Sequence, residues 1–126
     1  MLVLDSGGVS RLAERTRASV ALIHALRERG LWPPIVPSVV LVECLQGHGV
    51  RDANVNSFLK TCDIAEEVPE RIARRAAQLR RKAGTGSAVD ALVVALAEPE
   101  GTVLTGDVED LTSLAEHSSR VRVETI

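Results

Sequence analysis

Short apolar runs along this chain alternate with segments in which apolar residues recur at helical spacing. The runs predict strands and the spacing predicts helices. The predicted strands are residues 2–5, 35–36, 102–105 and 121–124. The predicted helices are residues 17–29, 38–47, 55–62, 69–83, 88–98 and 108–116. Strands that alternate with helices favour a mainly parallel central sheet covered on both faces, that is, a three-layer α/β/α sandwich.

Glycine, proline and serine mark the ends of these elements. Gly30 ends the first predicted helix, and Pro33-Pro34 holds the next segment extended. Pro69 suits the first turn of a helix, and Ser87 can cap the helix that follows it. No repeat, low-complexity tract or linker divides the sequence, so residues 1–126 are interpreted as a single domain.

Four carboxylates end or interrupt the apolar segments. Asp5 ends the first predicted strand, and Asp107 follows the strand at 102–105. Glu43 interrupts the run VVLVECL, and Asp90 interrupts SAVDALVVALA. Ligands of parallel sheets bind at the carboxyl ends of the strands. We therefore expect Asp5 and Asp107 at one edge of the sheet, with Glu43 and Asp90 reaching it from flanking helices.

Taken singly, most of these acids have an ordinary structural explanation. Asp107 is a favoured N-cap residue, with Asp110 at the capping-box distance. Asp90 fits a second capping box, and Asp5 can simply end a strand. Glu43 has no such explanation, although a helix can turn one polar residue to solvent. The four acids together indicate a shared site more strongly than any one of them does.

Carboxylates gathered at one edge repel one another unless a cation neutralises them. Mg²⁺ and Mn²⁺ prefer oxygen ligands and are the cations that fit such a set. A site of this kind lowers the pKa of a bound water and neutralises charge that develops on a phosphate. The chemistry that the acids predict is phosphodiester hydrolysis.

The charge balance limits how such a protein holds a nucleic acid. A formal net charge of −2 and a pI near 5.9 exclude a globally basic, nucleic-acid-coating protein. The predicted helix at 69–83 is nevertheless rich in cations, which suit phosphate contacts; a solvated helix face is the alternative. The candidate RNA-binding residues on it are Arg71, Arg74, Arg81 and Lys82.

The remaining composition predicts a soluble, cytoplasmic protein. Cys44 and Cys62 are the only cysteines, and their apolar surroundings are typical of thiols in a reducing compartment. No secretory signal precedes Asp5, and the apolar runs are too short to span a bilayer. We therefore expect no membrane association.

Four stretches of the chain together resemble the PIN domain, specifically the VapC-type toxin ribonucleases. They are LVLDSG (2–7), VPSVVLVECLQG (36–47), GSAVDALVVALA (86–97) and VLTGDVEDL (103–111). Each carries one of the four acids, and they occur in the order and spacing of that family. The resemblance implies a PIN-like α/β/α sandwich with a parallel sheet.

The resemblance also implies roles for individual residues. Asp5 and Asp90 would be the most direct ligands of Mg²⁺ or Mn²⁺. Glu43 and Asp107 would complete a catalytic quartet, through water or at a second ion. The supporting residues that match the family are Ser6, Thr105 and Asp110.

The function implied by the resemblance is a metal-dependent endoribonuclease, the toxin of a toxin–antitoxin pair. Such a protein cleaves structured RNA (tRNA or rRNA), inhibits translation and growth, forms a homodimer and is held inactive by a cognate VapB-type antitoxin. The stretch DSGGVSRL departs from the family because two glycines replace larger residues, and it is expected to be a mobile loop. The alternative function is a non-catalytic PIN-like module that binds RNA or protein.

Overall fold

Five short strands form the centre of the computed structural model, which describes residues 1–126. They are β1 (Leu2–Leu4), β2 (Ile35–Pro37), β3 (Asp63–Ala65), β4 (Thr102–Thr105) and β5 (Arg122–Thr125). In the sheet they lie in the order β3-β2-β1-β4-β5, and every neighbouring pair is parallel. The parallel sheet expected from the alternation of strands and helices is confirmed.

Seven α-helices connect and cover the strands. They are α1 (Ser6–Leu12), α2 (Arg17–Glu28), α3 (Leu41–Cys44), α4 (Ala53–Leu59), α5 (Glu70–Ala83), α6 (Ala88–Ala97) and α7 (Val108–Ala115). Every residue of β1 and β4 is buried, and successive side chains of a strand point to opposite faces. Both faces of the central strands are therefore covered, as the predicted sandwich requires. None of the helices combines the length and apolar character needed to cross a bilayer.

Helix α6 contacts both central strands, β1 and β4. Its buried residues are Ala91, Val93, Val94, Ala95 and Ala97, so its apolar run is explained by burial in the core. Helix α5 packs along α6 and buries Ala76 and Leu79 there. Because only residues 84–87 connect the two helices, α5 and α6 are antiparallel neighbours. The end of α5 thus lies beside the beginning of α6.

An ion pair fastens the opposite end of this helix pair. Arg75 donates from Nε to one carboxylate oxygen of Glu98 at 2.7 Å and from a terminal nitrogen to the other at 2.9 Å. Glu98 also accepts the backbone N–H of Ser119 at 2.7 Å. The guanidinium holds the pKa of Glu98 below its ordinary value. Arg75 therefore joins α5 to the end of α6 and is not free to bind other anions.

The segment after Asp5 is not the mobile loop that its glycines led us to expect. It forms helix α1, which begins directly after Asp5 and buries Gly8, Val9 and Leu12. Two glycines near the start of a seven-residue helix lower its intrinsic propensity. Tertiary packing overrides that propensity here, so the expectation of a loop is wrong.

Two other short elements differ from the prediction. The helix expected at 38–47 is a 3₁₀ turn at Ser38–Val40 followed by α3, and the backbone is already extended at Leu45. Strand β3 was not predicted at all. It has three residues and pairs only with β2 at the edge of the sheet. A strand of three residues is too short to show a hydrophobic period in the sequence.

Candidate active site

Asp5 lies at the carboxyl end of β1, where the residue is 6% exposed. One carboxylate oxygen, Oδ1, accepts the backbone N–H of Gly8 at 2.7 Å, so Asp5 is the N-cap of α1. The other, Oδ2, accepts the hydroxyl of Thr105 from the neighbouring strand β4. Both oxygens of this buried carboxylate are therefore held in fixed positions by the chain.

Thr105 connects the ends of the two central strands. It is fully buried at the end of β4. Its hydroxyl donates to Asp5, and the oxygen of the same hydroxyl accepts the backbone N–H of Asp107 at 2.8 Å. The predicted supporting role of Thr105 thus has a structural basis, because one hydroxyl places Asp5 and Asp107 relative to each other.

The glycine pair after Asp5 allows α1 to begin directly against the end of β4. A Cβ built at Gly8 would lie 2.5 Å from the carbonyl oxygen of Leu104. At Gly7 it would lie 2.9 Å from the backbone nitrogen of Gly106. Both distances are shorter than side-chain carbons tolerate, so glycine is required at these positions. Sequence reasoning missed this role, although a glycine pair next to a strand-end acid was its visible signal.

No positively charged side chain neutralises the negative charge around Asp5. Burial raises the pKa of Asp5, and the nearby carboxylates of Asp90 and Asp107 raise it further, while the hydrogen bonds from Thr105 and Gly8 lower it. None of the three acids forms an ion pair with a lysine, arginine or histidine. The carboxylates of Asp5, Asp90 and Asp107 are thus close enough for Asp5 to be repelled by the other two, and no lysine, arginine or histidine pairs with them.

The structural explanations offered by the sequence hold for Asp90 and fail for Asp107. Asp90 forms a capping box with Ser87, with hydrogen bonds of 3.0 and 3.3 Å. Asp107 occupies the N-cap of α7, but its side chain accepts no capping hydrogen bond and is exposed. Asp110, on the first turn of α7, accepts the hydroxyl of Thr85 at 2.8 Å. Asp107 is therefore left without a role in capping its helix.

Glu43 is not among the charged groups that shift the pKa of Asp5. It is exposed on the four-residue helix α3, and the carboxylates that act on Asp5 are those of Asp90 and Asp107. No group of three or more histidine, cysteine, aspartate or glutamate side chains is arranged to hold a metal ion. Metal binding by the four acids therefore stays a prediction.

The chemistry of the donors nevertheless fits a hard divalent cation. The acids offer only carboxylate oxygens, which Mg²⁺ and Mn²⁺ prefer. The buried carboxylate of Asp5 has anionic neighbours and no cationic one. Asp107 and Glu43 are exposed, so their side chains can turn toward an ion without breaking core packing.

The remaining predicted residues lie at three places on helices α1 and α5. Ser6 is the first residue of α1, directly after Asp5. Arg81 and Lys82 lie in the last turn of α5, beside the beginning of α6. Arg71 and Arg74 lie in its first half, at roughly 15 and 10 Å from Arg81 along the helix axis. Arg74 also pairs with a glutamate one turn earlier, at 2.8 Å.

We expect Thr105→Val to destabilise the protein by about 2 kcal/mol, because a hydroxyl bonded to a buried charged group is lost. Urea unfolding measures this change. Thr105→Ser is the matched control, since it keeps the hydroxyl and removes only a methyl group, at about 1 kcal/mol. Equal loss in both variants would mean that the hydroxyl contributes nothing to holding Asp5.

No protein-family model and no curated protein sequence matches the chain. Two solved structures share its fold over nearly its whole length. The first is a chain in the crystal structure of VapBC2 from Rickettsia felis bound to a promoter DNA fragment. It is 13% identical to this chain, with a TM-score of 0.70, and the match covers 100% of this chain and 99% of that one. A chain of FitAcB from Neisseria gonorrhoeae is 19% identical, with a TM-score of 0.64 over 98% and 96%. These similarities confirm the PIN-like α/β fold.

Proposed function

We propose that this protein is a Mg²⁺- or Mn²⁺-dependent endoribonuclease that acts as the toxin of a toxin–antitoxin pair. The observation that carries the proposal is the carboxylate of Asp5, buried at a strand end beside Asp90 and Asp107 with no protein cation. Keeping such charges together costs free energy of folding. A function that needs them gathered is the simplest reason for their presence.

Asp5 and Asp90 would hold the metal ion directly, and Glu43 and Asp107 would complete the site through water or at a second ion. When bound, the metal supplies a water of lowered pKa and neutralises charge that develops on the phosphate. The chain's own contribution is positional. Thr105 and the N–H of Gly8 fix the two oxygens of Asp5, so the donors need little rearrangement during the reaction.

The proposed partners are a structured RNA substrate, a VapB-type antitoxin and a second copy of the chain in a homodimer. Two independent observations support the toxin–antitoxin assignment. The four acid-bearing stretches resemble VapC-type toxins, and the whole fold matches chains of the VapBC2 and FitAcB structures. Cleavage of tRNA or rRNA by the free protein would then inhibit translation.

The alternative function is a non-catalytic PIN-like module that binds RNA or protein. One observation favours it: no three of the acids are arranged to hold an ion. In that case the acids would form a partner contact, and neither metal nor hydrolysis would be involved.

Metal dependence distinguishes the two functions. We expect the protein to cleave structured RNA in Mg²⁺ or Mn²⁺ but not in EDTA. In Asp90→Asn cleavage should fall by about 100-fold or more, because the metal contributes several kcal/mol to the reaction. Asp63→Asn, at an exposed acid that begins β3, is the control and should cleave like the wild type.

Binding of Mn²⁺, followed by calorimetry, provides a readout that does not depend on activity. We expect Asp90→Asn to bind Mn²⁺ more weakly than the wild type and the Asp63→Asn control. Cleavage that is equal in all three proteins would identify a contaminating nuclease. Absence of both cleavage and Mn²⁺ binding in the wild type would establish the non-catalytic module instead.

A further inference from the structure

A cationic cleft lies where α5 ends, next to the acidic site. Its volume is about 360 Å³, and none of its lining residues is hydrophobic or acidic. The lining residues are Arg80, Arg81, Gly84, Thr85 and Gly86. The cleft is therefore formed by two guanidinium groups and the loop between α5 and α6.

The two arginines of the cleft are not neutralised by the chain. Neither Arg80 nor Arg81 forms an ion pair, whereas Arg74 and Arg75 of the same helix are each held by a glutamate. Arg80 donates from Nε to the carbonyl oxygen of Gly86 at 3.2 Å, which places its guanidinium against the loop. Its other N–H groups and all those of Arg81 have no acceptor within the chain.

The backbone of the loop adds donors of its own. The N–H groups of Thr85 and Gly86 make no hydrogen bond within the chain. Free backbone N–H groups beside guanidinium groups are the usual donors to phosphate oxygens. The cleft therefore has the charge and the hydrogen-bond donors that bind a phosphate.

The loop also connects the cleft to the acidic residues. Thr85 donates its hydroxyl to Asp110 at 2.8 Å. Gly86 directly precedes Ser87, whose side chain caps α6 through the backbone N–H of Asp90 at 3.0 Å. A phosphate in the cleft would thus lie beside the proposed catalytic acids rather than on a distant surface.

We propose that this cleft binds an RNA backbone phosphate that neighbours the one being cleaved. The inference rests on the proposed nuclease function and specifies how its substrate is held. Contacts to phosphate position a strand without reading its bases. The cleft therefore determines which phosphate of the RNA backbone lies at Asp5 and Asp90. It contributes nothing to sequence preference.

Binding of a labelled single-stranded RNA to the full chain tests the cleft, with Asp5→Asn present in every protein to prevent cleavage. Removing both charges in Arg80→Gln/Arg81→Gln should raise Kd about tenfold at low salt. The slope of log Kd against log salt concentration should fall by about 0.7 to 1, because one phosphate contact is lost. Arg81→Gln alone, which leaves the bond from Arg80 to the loop intact, should raise Kd several-fold.

The control for loss of formal charge is Arg120→Gln/Arg122→Gln, in which Arg120, unlike the arginines of the cleft, pairs with Glu100 at 2.6 Å. It removes the same formal charge near the start of β5, at the amino end of the parallel strands, whereas Asp5 lies at their carboxyl end. It should change Kd by less than about twofold. An equal loss of RNA affinity in both double variants would overturn the proposal that the cleft binds a phosphate. Unchanged affinity and salt slope in the cleft variants would overturn it as well. Either result is distinct from failure of the nuclease proposal, which would appear as absence of metal-dependent cleavage by the wild type.

Discussion

Replacing Asp5 by asparagine is expected to abolish RNA cleavage and to leave the protein at least as stable as the wild type. Cleavage should fall by about 100-fold or more, because the proposed metal loses its central charged ligand. Stability should rise by about 1 kcal/mol at neutral pH, because a buried charge beside two other carboxylates is removed. A merely structural acid would show neither result.

The surrounding hydrogen bonds can adapt to the amide. The amide oxygen can accept the N–H of Gly8, and the amide nitrogen can donate to the hydroxyl oxygen of Thr105. The hydroxyl hydrogen of Thr105 then turns to the carbonyl oxygen of Asp107, which lies 3.1 Å away. No buried polar atom is left without a partner, so Asp5→Asn has no reason to unfold.

The stability difference should depend on pH in a defined direction. Because the fold raises the pKa of Asp5, ionisation of this group weakens the wild type as the pH rises through the raised pKa, and the loss is complete above it. The gain from Asp5→Asn is therefore largest at neutral pH. It should shrink as the pH falls toward 3.8, the ordinary value for aspartate.

Urea unfolding of both proteins from pH 7 down to pH 4, together with an RNA cleavage assay, measures these effects. Asp63→Asn is again the control, because its carboxylate is exposed at the other end of a strand. A marked loss of stability in Asp5→Asn, with no dependence on pH, would show that Asp5 serves the fold rather than the chemistry.

Replacing Gly8 by alanine should destabilise the protein strongly. The new Cβ would lie 2.5 Å from the carbonyl oxygen of Leu104, and a backbone atom cannot rotate away as a side chain can. Overpacking costs about 1–3 kcal/mol, and the better helix propensity of alanine offsets up to about 1 kcal/mol. We expect a net loss of about 2 kcal/mol and a melting temperature several degrees lower.

The control for this substitution is Gly49→Ala, where no atom lies within 4 Å of the added Cβ. That variant should stay within about 0.5 kcal/mol of the wild type. Thermal unfolding of the two variants is a direct comparison. If Gly8→Ala melts with the control, α1 does not approach β4 as closely as described, and the fixed position of Asp5 loses its basis.

The elements that were predicted well from the sequence are those whose buried residues produce a clear hydrophobic period. Strand β4 was predicted with its observed bounds, and helices α2, α5 and α6 nearly so, because each buries a continuous apolar run or stripe. Helix α1 and strand β3 left no such signal. Helix α1 has only seven residues, two of them glycine, and strand β3 has only three residues at the edge of the sheet.

The candidate site shows the same division. The proximity of Asp5 to Asp107 follows from the rule that parallel strands have their carboxyl ends on one side of the sheet. The position of Asp90 beside them follows from its place in the first turn of a buried helix. Glu43 was expected to join them on a helix that continued to residue 47. Helix α3 ends at Cys44, so the sequence period could not indicate where the Glu43 side chain points.

The bond between Asp5 and Thr105 joins positions 100 apart in the sequence. During synthesis, Asp5 leaves the ribosome long before the threonine that holds it exists. An incomplete chain therefore lacks the ordered carboxylate on which the proposed activity depends. If the protein attacks RNA of the translation machinery, its own ribosome is spared until synthesis has passed Thr105.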